Sequence, residues 1–265
     1  MHIEELSEIR DVYSHVYLSP HLDDAVLSCG GAIARNSAAN ARVLVVTLCT
    51  AAPAAGEPLS PFSRMMHRNW GLTATEAVSA RLHEDEMATE RLGADSYWVG
   101  MRDAIYRRPD VYNTMPALFG VPASDDPLLP ALHAFIAELR SHTPSATLYA
   151  PLGVGNHVDH QITHIAAGDS PGATVAFYED FPYVAKPGAL DQRLKALKGE
   201  FVTSIIDIDA TLMRKIGAIE AYTSQISALF GDTETMRQTV VEYAEALRPD
   251  IGTYGERLWL RVVHA

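Results

Sequence analysis

Two short clusters carry the residue types of a metal-assisted reaction. Ser19-Pro20-His21-Leu22-Asp23-Asp24 stands near the start of the chain, and Gly155-Asn156-His157-Val158-Asp159-His160 lies past its middle. Zinc takes imidazole nitrogen and carboxylate oxygen, and a catalytic zinc usually keeps three protein ligands and one open position. His21, Asp24 and His160 supply a two-histidine, one-carboxylate set. His21 and Asp24 are spaced so that a turn entering a helix can face both to one side, and so are His157 and His160. Asp23, beside a ligand, can take a proton from metal-bound water. His157, when protonated, can face a developing oxyanion, and Asp159 can orient a ligand histidine from behind. A bound metal brings the pKa of water down to about 7 and polarises a carbonyl. Such a set suits amide hydrolysis through a tetrahedral intermediate.

Either cluster alone reads as an ordinary helix N-cap, where Asp is favoured, or as a solvated loop. Both follow a predicted strand and precede a predicted helix, and that changes the reading. Loops at the carboxyl ends of parallel strands converge on one edge of an open sheet. The fold must then close the 136 positions (160 − 24) between Asp24 and His160. His164, one turn past His160, reads as helix surface or packing rather than as a fourth ligand. The remaining histidines show no comparable clustering.

The elements that must position these residues alternate short apolar runs with longer amphipathic ones. Strands are predicted over 12–18, 42–48, 96–100, 146–153, the start of 174–183, 201–209 and in the closing WLRVV. Helices are predicted from Asp24, over 75–92 and 128–141, and as a pair over 210–230 and 234–247. Residues 51–75 and 101–127 read as long irregular loops that wall a functional face. Within them Trp70, Tyr106 and Tyr112 are candidates either to stack on a ligand or to pack. The order implies an α/β, Rossmann-like, mostly parallel sheet with helices on both faces, in one domain spanning 1–265.

Composition narrows the function. The 21 Lys+Arg against 33 Asp+Glu give a net charge of −12, which repels nucleic acid and anionic membranes at long range. Cys29 and Cys49 are too few for a disulfide framework and read as reduced, buried thiols. No signal peptide and no apolar run near the roughly 18 residues of a membrane span is present. A cytoplasmic enzyme acting on a small molecule is the expectation. Gly30-Gly31 follows the first strand, but without a G-x-G-x-x-G a nucleotide- or sugar-binding module is the weaker reading.

At these residues the sequence resembles the PIG-L (LmbE-like) deacetylases, which carry a His-Pro-Asp-Asp-Glu motif after the first strand and a His-x-Asp-His motif late in a Rossmann-like domain. Here they stand as SPHLDDAV and HVDH. RLHEDEMATERLGA (81–94), VGMRDAIYRR (99–108) and KIGAIEAYTSQ (215–225) are similar to further family segments. The resemblance implies zinc, or another divalent metal such as iron or cobalt, on His21, Asp24 and His160. It implies Asp23 as general base and His157 as electrostatic partner, with Arg81 and Asp103 contacting substrate hydroxyls. For Arg81 the competing reading is an ion pair with Glu84 or Asp85. Leu22 and Ala25 depart from the usual Pro and Glu. The implied activity is removal of an N-acyl group, most simply acetyl, from an amino sugar or glycosylated natural product, by attack of zinc-bound water on the amide carbonyl. An amidase acting on a thiol conjugate is the alternative.

Overall fold

The computed structural model describes residues 1–54, 56–70, 74–172, 174–248, 250 and 252–262, without the side chains at 69, 70 and 74–77. Eight strands among them form one sheet: β1 (His2–Ile3), β2 (Tyr13–Ser19), β3 (Arg42–Thr47), β4 (Asp95–Trp98), β5 (Thr147–Pro151), β6 (Val175–Tyr178), β7 (Phe201–Asp207) and β8 (Gly255–Arg261). Their order is β1-β4-β3-β2-β5-β6-β8-β7. All pairs up to β6 are parallel, and β8 runs antiparallel to both β6 and β7. In β2 and β3 successive residues Val16 to Ser19 and Val43 to Thr47 are all buried. Side chains alternate between faces along a strand, so unbroken burial requires cover on both sides.

That cover comes from eleven helices among the described residues: α1 (Asp24–Ala38), α2 (Pro61–Trp70), α3 (Ala74–Leu92), α4 (Ala104–Arg107), α5 (Met115–Leu118), α6 (Leu128–His142), α7 (Val158–Gly168), α8 (Ala189–Ala196), α9 (Leu212–Ile219), α10 (Thr223–Phe230) and α11 (Thr233–Ala246). α1, α3 and α9 pack on one another, and α6 packs on α7. Gly30 and Gly31 serve the first contact. A Cβ on Gly31 would meet the Ile208 side chain at 2.7 Å and one on Gly30 the Lys215 side chain at 3.0 Å, so this pair makes room for those side chains to pack on α1. No helix among the described residues is long and apolar enough to cross a membrane. Cys29 and Cys49 are free and buried.

The chain leaves β2 to build β3 and β4 on one side, then crosses back to lay β5 and β6 on the other. β2 and β5 are hydrogen-bonded neighbours, with Tyr17 in register with Tyr149. The order of construction therefore reverses between these two strands, where open α/β sheets form their ligand crevice.

Three expectations need correction. Residues 51–75 are not one irregular loop, because α2 lies inside them. Its start signal is Ser60, whose Oγ accepts the Ser63 N–H at 3.0 Å, followed by Pro61 at the first helical position. Phe62 and His67 are buried on its inner face. Residues 101–127 contain the single turns α4 and α5. The pair of helices predicted over 210–247 is three. α9 and α10 separate because Glu84 of α3 accepts from the Ser224 N–H at 2.8 Å and from the Thr223 and Ser224 hydroxyls. A carboxylate from another element thus satisfies a new helix N-terminus.

Candidate active site

Both motif loops leave the carboxyl ends of β2 and β5. Ser19 closes β2, donates to the His21 carbonyl at 2.7 Å and accepts the Ala25 N–H at 3.0 Å. Ser19 thereby satisfies an N–H in the first turn of α1. Asp23 occupies the N-cap position of α1 without making a cap bond, at φ 156° and ψ −33°. L residues hold such a backbone only where surrounding contacts fix it. Ala25 is fully buried in the core, where the family's Glu would bury a charge. On the other strand, Gly153 and Gly155 (φ +87° and +89°) turn the chain so that His157 sits at the N-cap of α7. A Cβ on Gly155 would lie 2.7 Å from the Tyr183 ring, so only glycine fits there.

The fold brings His21, Asp24 and His160 together. His21 Nδ1 lies 3.2 Å from Asp24 Oδ2, His160 Nε2 lies 3.2 Å from the same oxygen, and the two nitrogens are 3.3 Å apart. Ligands at 2.0–2.1 Å around a tetrahedral zinc are separated by about 3.3–3.4 Å, so this near-equilateral triangle fits one such ion. The local field fits as well. Burial alone would lower the His160 imidazole, but facing Asp24 and Asp180 raise it to about 10. His21 is likewise raised against the effect of burial, by Asp159, Asp24 and Asp103. Burial would raise Asp24, yet His160 and His21 hold it well below the usual carboxylate range. Positive charge is therefore favoured in the triangle, whether as protons or as a cation.

His157 stands beside this set. One ring nitrogen from each of His157, His21 and His160 lies within 4.8 Å of the others, a grouping that lacks the neutralising carboxylate. Its Nδ1 accepts the Asp159 N–H at 3.3 Å, so the neutral ring carries its proton on Nε2. Burial, and then His21, hold His157 well below the ordinary histidine range. Burial therefore disfavours the protonated form of His157, while its neutral ring keeps an Nε2–H donor.

Asp23 lines the same cavity. Burial, then the Asp24 charge, push its carboxyl up to about 7, and Arg81 and His21 oppose them. Arg81 Nη2 reaches the Leu22 carbonyl at 3.3 Å and Asp23 Oδ2 at 3.5 Å. Glu84 is engaged with α10, and Asp85 accepts from Trp98, Tyr222 and Thr47. Asp103 caps α4 through Oδ1 and brings Oδ2 to 3.5 Å from His21 Nε2.

Behind His21 and His160 lies a buried polar layer. Asp159 Oδ2 is 3.1 Å from His21 Nε2, and its Oδ1 accepts from Arg107 Nη2 at 2.6 Å. Arg107 also forks onto Asp126 at 2.8 and 3.0 Å. His21 Nε2, Cys49 Sγ and Asp159 form a second donor grouping, but the Arg107 guanidinium beside it supplies the positive charge that a cation would bring. Asp180 Oδ1 is 2.7 Å from His160 Nδ1, while its Oδ2 accepts the Gly153 and Val154 N–H groups. Sequence reasoning missed Asp180, Arg107 and Asp126. The signal for Asp180 was its place just after a strand, on the edge that carries both motifs. His164 packs as expected, with its ring 4.2 Å from Phe177 and Nδ1 on the Pro151 carbonyl.

The site opens into a cavity of about 620 Å³. Tyr112 is buried with its hydroxyl on Asp126, and Tyr106 is buried with its hydroxyl 2.6 Å from His67. Both pack. The side chain of Trp70 lies outside the described residues.

A family model described as GlcNAc-PI de-N-acetylase, PIG-L, matches residues 16–169. The chain is 29% identical over 233 residues to the 2'-N-acetylparomamine deacetylase of Streptomyces fradiae, covering 84% of this chain and 75% of that protein. It is 26% identical to the 1D-myo-inositol 2-acetamido-2-deoxy-alpha-D-glucopyranoside deacetylase of Mycolicibacterium smegmatis, covering 80% of each. Among solved structures, a deacetylase of the teicoplanin biosynthesis pathway superposes with a TM-score of 0.81 at 30% identity, over 94% of this chain and 99% of that one. The A40926 pseudoaglycone deacetylase gives 0.78 at 28%, over 96% and 99%.

Proposed function

This chain belongs to the PIG-L family of de-N-acetylases, and on that premise we propose that it hydrolyses the acetamide of an amino sugar within a glycosylated small molecule. The products are acetate and the free amine. The observation that carries this reading is the 3.2–3.3 Å triangle of His21, Asp24 and His160 donors, with Asp23 and His157 lining the cavity beside it. The names of the paromamine and pseudoaglycone deacetylases support the substrate class. Cytoplasmic residence is in keeping with two buried, unpaired thiols.

In this reading His21, Asp24 and His160 hold the metal, assigned as zinc because two imidazoles and a carboxylate suit it. When bound, the ion supplies Lewis acidity, bringing the pKa of water to about 7 and polarising a carbonyl. Asp23 accepts the proton of the attacking water. Burial raises the proton affinity of this carboxylate, and Arg81 opposes that rise. His157 Nε2–H donates to the amide oxygen as negative charge grows there. Donors of this kind are commonly worth about 10²–10³ in rate. Asp23 returns its proton to the leaving nitrogen as the C–N bond breaks, and the acyl carbon retains the hydroxyl. Arg81 and Asp103, at the same end of the cavity, contact sugar hydroxyls. Asp159 and Asp180 keep His21 and His160 in orientation.

The test joins metal analysis to amine release from a panel of N-acetylglucosaminides and thiol-conjugate amides. About one zinc per chain with release from the sugars is expected. Metal-loaded protein inert towards every N-acetyl sugar overturns the reading, and turnover of the thiol conjugates alone transfers it to the amidase class.

A further inference from the structure

We propose that the amino sugar enters joined to a bulky apolar aglycone, and that the cavity rejects polycationic partners such as amine-bearing cyclitols. The inference rests on the deacetylase reading of the same site and adds the chemistry of the group beyond the sugar.

The cavity of about 620 Å³ lies in the range that holds drug-sized ligands, so room remains beyond one sugar ring. Its charges are segregated. Asp23, Asp24 and Asp103 are its only lining carboxylates among the described residues, and all belong to the His21 end with Arg81. The rest of the lining is mainly apolar, with Leu118, Phe119, Phe181, Leu229 and Phe230 its bulkiest members and Tyr183, Gln225, Thr235 and Thr239 its uncharged polar ones. The bulkiest members come from α5, the segment after β6, and α10, so three separate parts of the chain converge on one apolar surface. Met115, nearly half exposed at 45%, extends it to the rim. Among the described residues, Lys186 is the one charged lining residue outside the cluster of His21, Asp23, Asp24, Arg81, Asp103 and His157; it is exposed, with Nζ 5.5 Å over the Tyr183 ring.

An amine-rich partner would lose water against this wall, find no carboxylate there and meet a like charge. An apolar group would leave water for matching surface, at about 0.8 kcal/mol per buried methylene. The net charge of −12 attracts cations from a distance, but the lining acts at contact, where desolvation decides.

The test uses the metal-loaded protein with the methyl and octyl glycosides of N-acetylglucosamine and a mono-N-acetylated aminocyclitol glycoside bearing free amines. Acetate release and calorimetric Kd are both measured. Three buried methylenes predict a Kd for the octyl glycoside roughly 30–100-fold below that of the methyl glycoside, with the cationic glycoside weakest. Leu229→Asp should bring the octyl-to-methyl ratio towards one. Lys186→Glu, at an exposed position that the fold tolerates, should tighten the cationic glycoside several-fold. An octyl glycoside no better than methyl, or a cationic glycoside that binds best, overturns the inference. Acetate release without an octyl advantage leaves the deacetylase reading standing. An octyl advantage in binding with no acetate release from any sugar supports the apolar subsite and removes the deacetylase reading.

Discussion

Asp24 Oδ2 lies 3.2 Å from His160 Nε2, although 136 positions separate the two residues. The contact exists because β2 and β5 are neighbours and each delivers its following loop to the same edge of the sheet. His21 completes the triangle from the turn that carries Asp24, so the site spans both halves of the sheet.

Removing a corner of that triangle should remove the metal. His160→Ala or Asp24→Ala is expected to lower metal affinity by well over the ~100-fold typical of changes behind the ligands. Elemental analysis of the purified variants checks this, and full occupancy in either variant excludes that residue as a ligand.

Asp23→Asn is expected to separate binding from chemistry. The amide keeps the shape but cannot take a proton, so kcat should fall by about 10²–10⁴ with metal content unchanged. Wild-type turnover in this variant would sink the general-base assignment.

Asp180→Asn should act through His160. The 2.7 Å contact with Nδ1 orients the imidazole and strengthens it as a donor. Metal affinity should drop by about 10–100-fold, measured by competition with a chromophoric chelator. An unchanged affinity would reduce Asp180 to a cap on Gly153 and Val154.

Arg107→Met leaves Asp126 buried without its cation and Asp159 with His21 as its remaining ionic neighbour, and breaking a buried ion pair typically costs about 3–5 kcal/mol. Burial alone would raise Asp126, but Arg107 and the Leu128 N–H outweigh it and hold it low. A depressed carboxyl contributes stability above its unfolded pKa of about 3.9, which is lost as pH falls through the folded value. In the variant the unpaired Asp126 is raised, so the sign reverses and its cost eases on acidification. Urea unfolding should show the variant's deficit widest at neutral pH and narrower towards about pH 4. A deficit independent of pH would contradict the ion-pair account.

Gly155→Ala combines a positive φ with a collision against Tyr183. A loss of about 1–3 kcal/mol is expected, visible as a lower midpoint in thermal unfolding. An unshifted midpoint would mean that the turn before His157 can relax.

Much of this was written in the sequence. The continuous apolar run of β3 announced a doubly covered strand because unbroken burial leaves no polar alternation. Histidine and aspartate placed directly after predicted strands marked the edge where a site could form. What local pattern could not reveal depended on partners distant in the chain. The break between α9 and α10 is made by Glu84, and α2 is held by Phe62 against Ile105 and Tyr106 rather than by a clean helical period.

Residue types and spacing determined which groups could bind a cation and which could move a proton, since donor chemistry is a property of the side chain. Only the tertiary structure decided that the three donors stand one tetrahedral edge apart and that Asp180 and Arg107 brace them. It also decided that burial depresses His157 and that much of the cavity's lining is apolar. Those properties follow from distance, desolvation and neighbouring charge, which arise when remote segments of chain pack together.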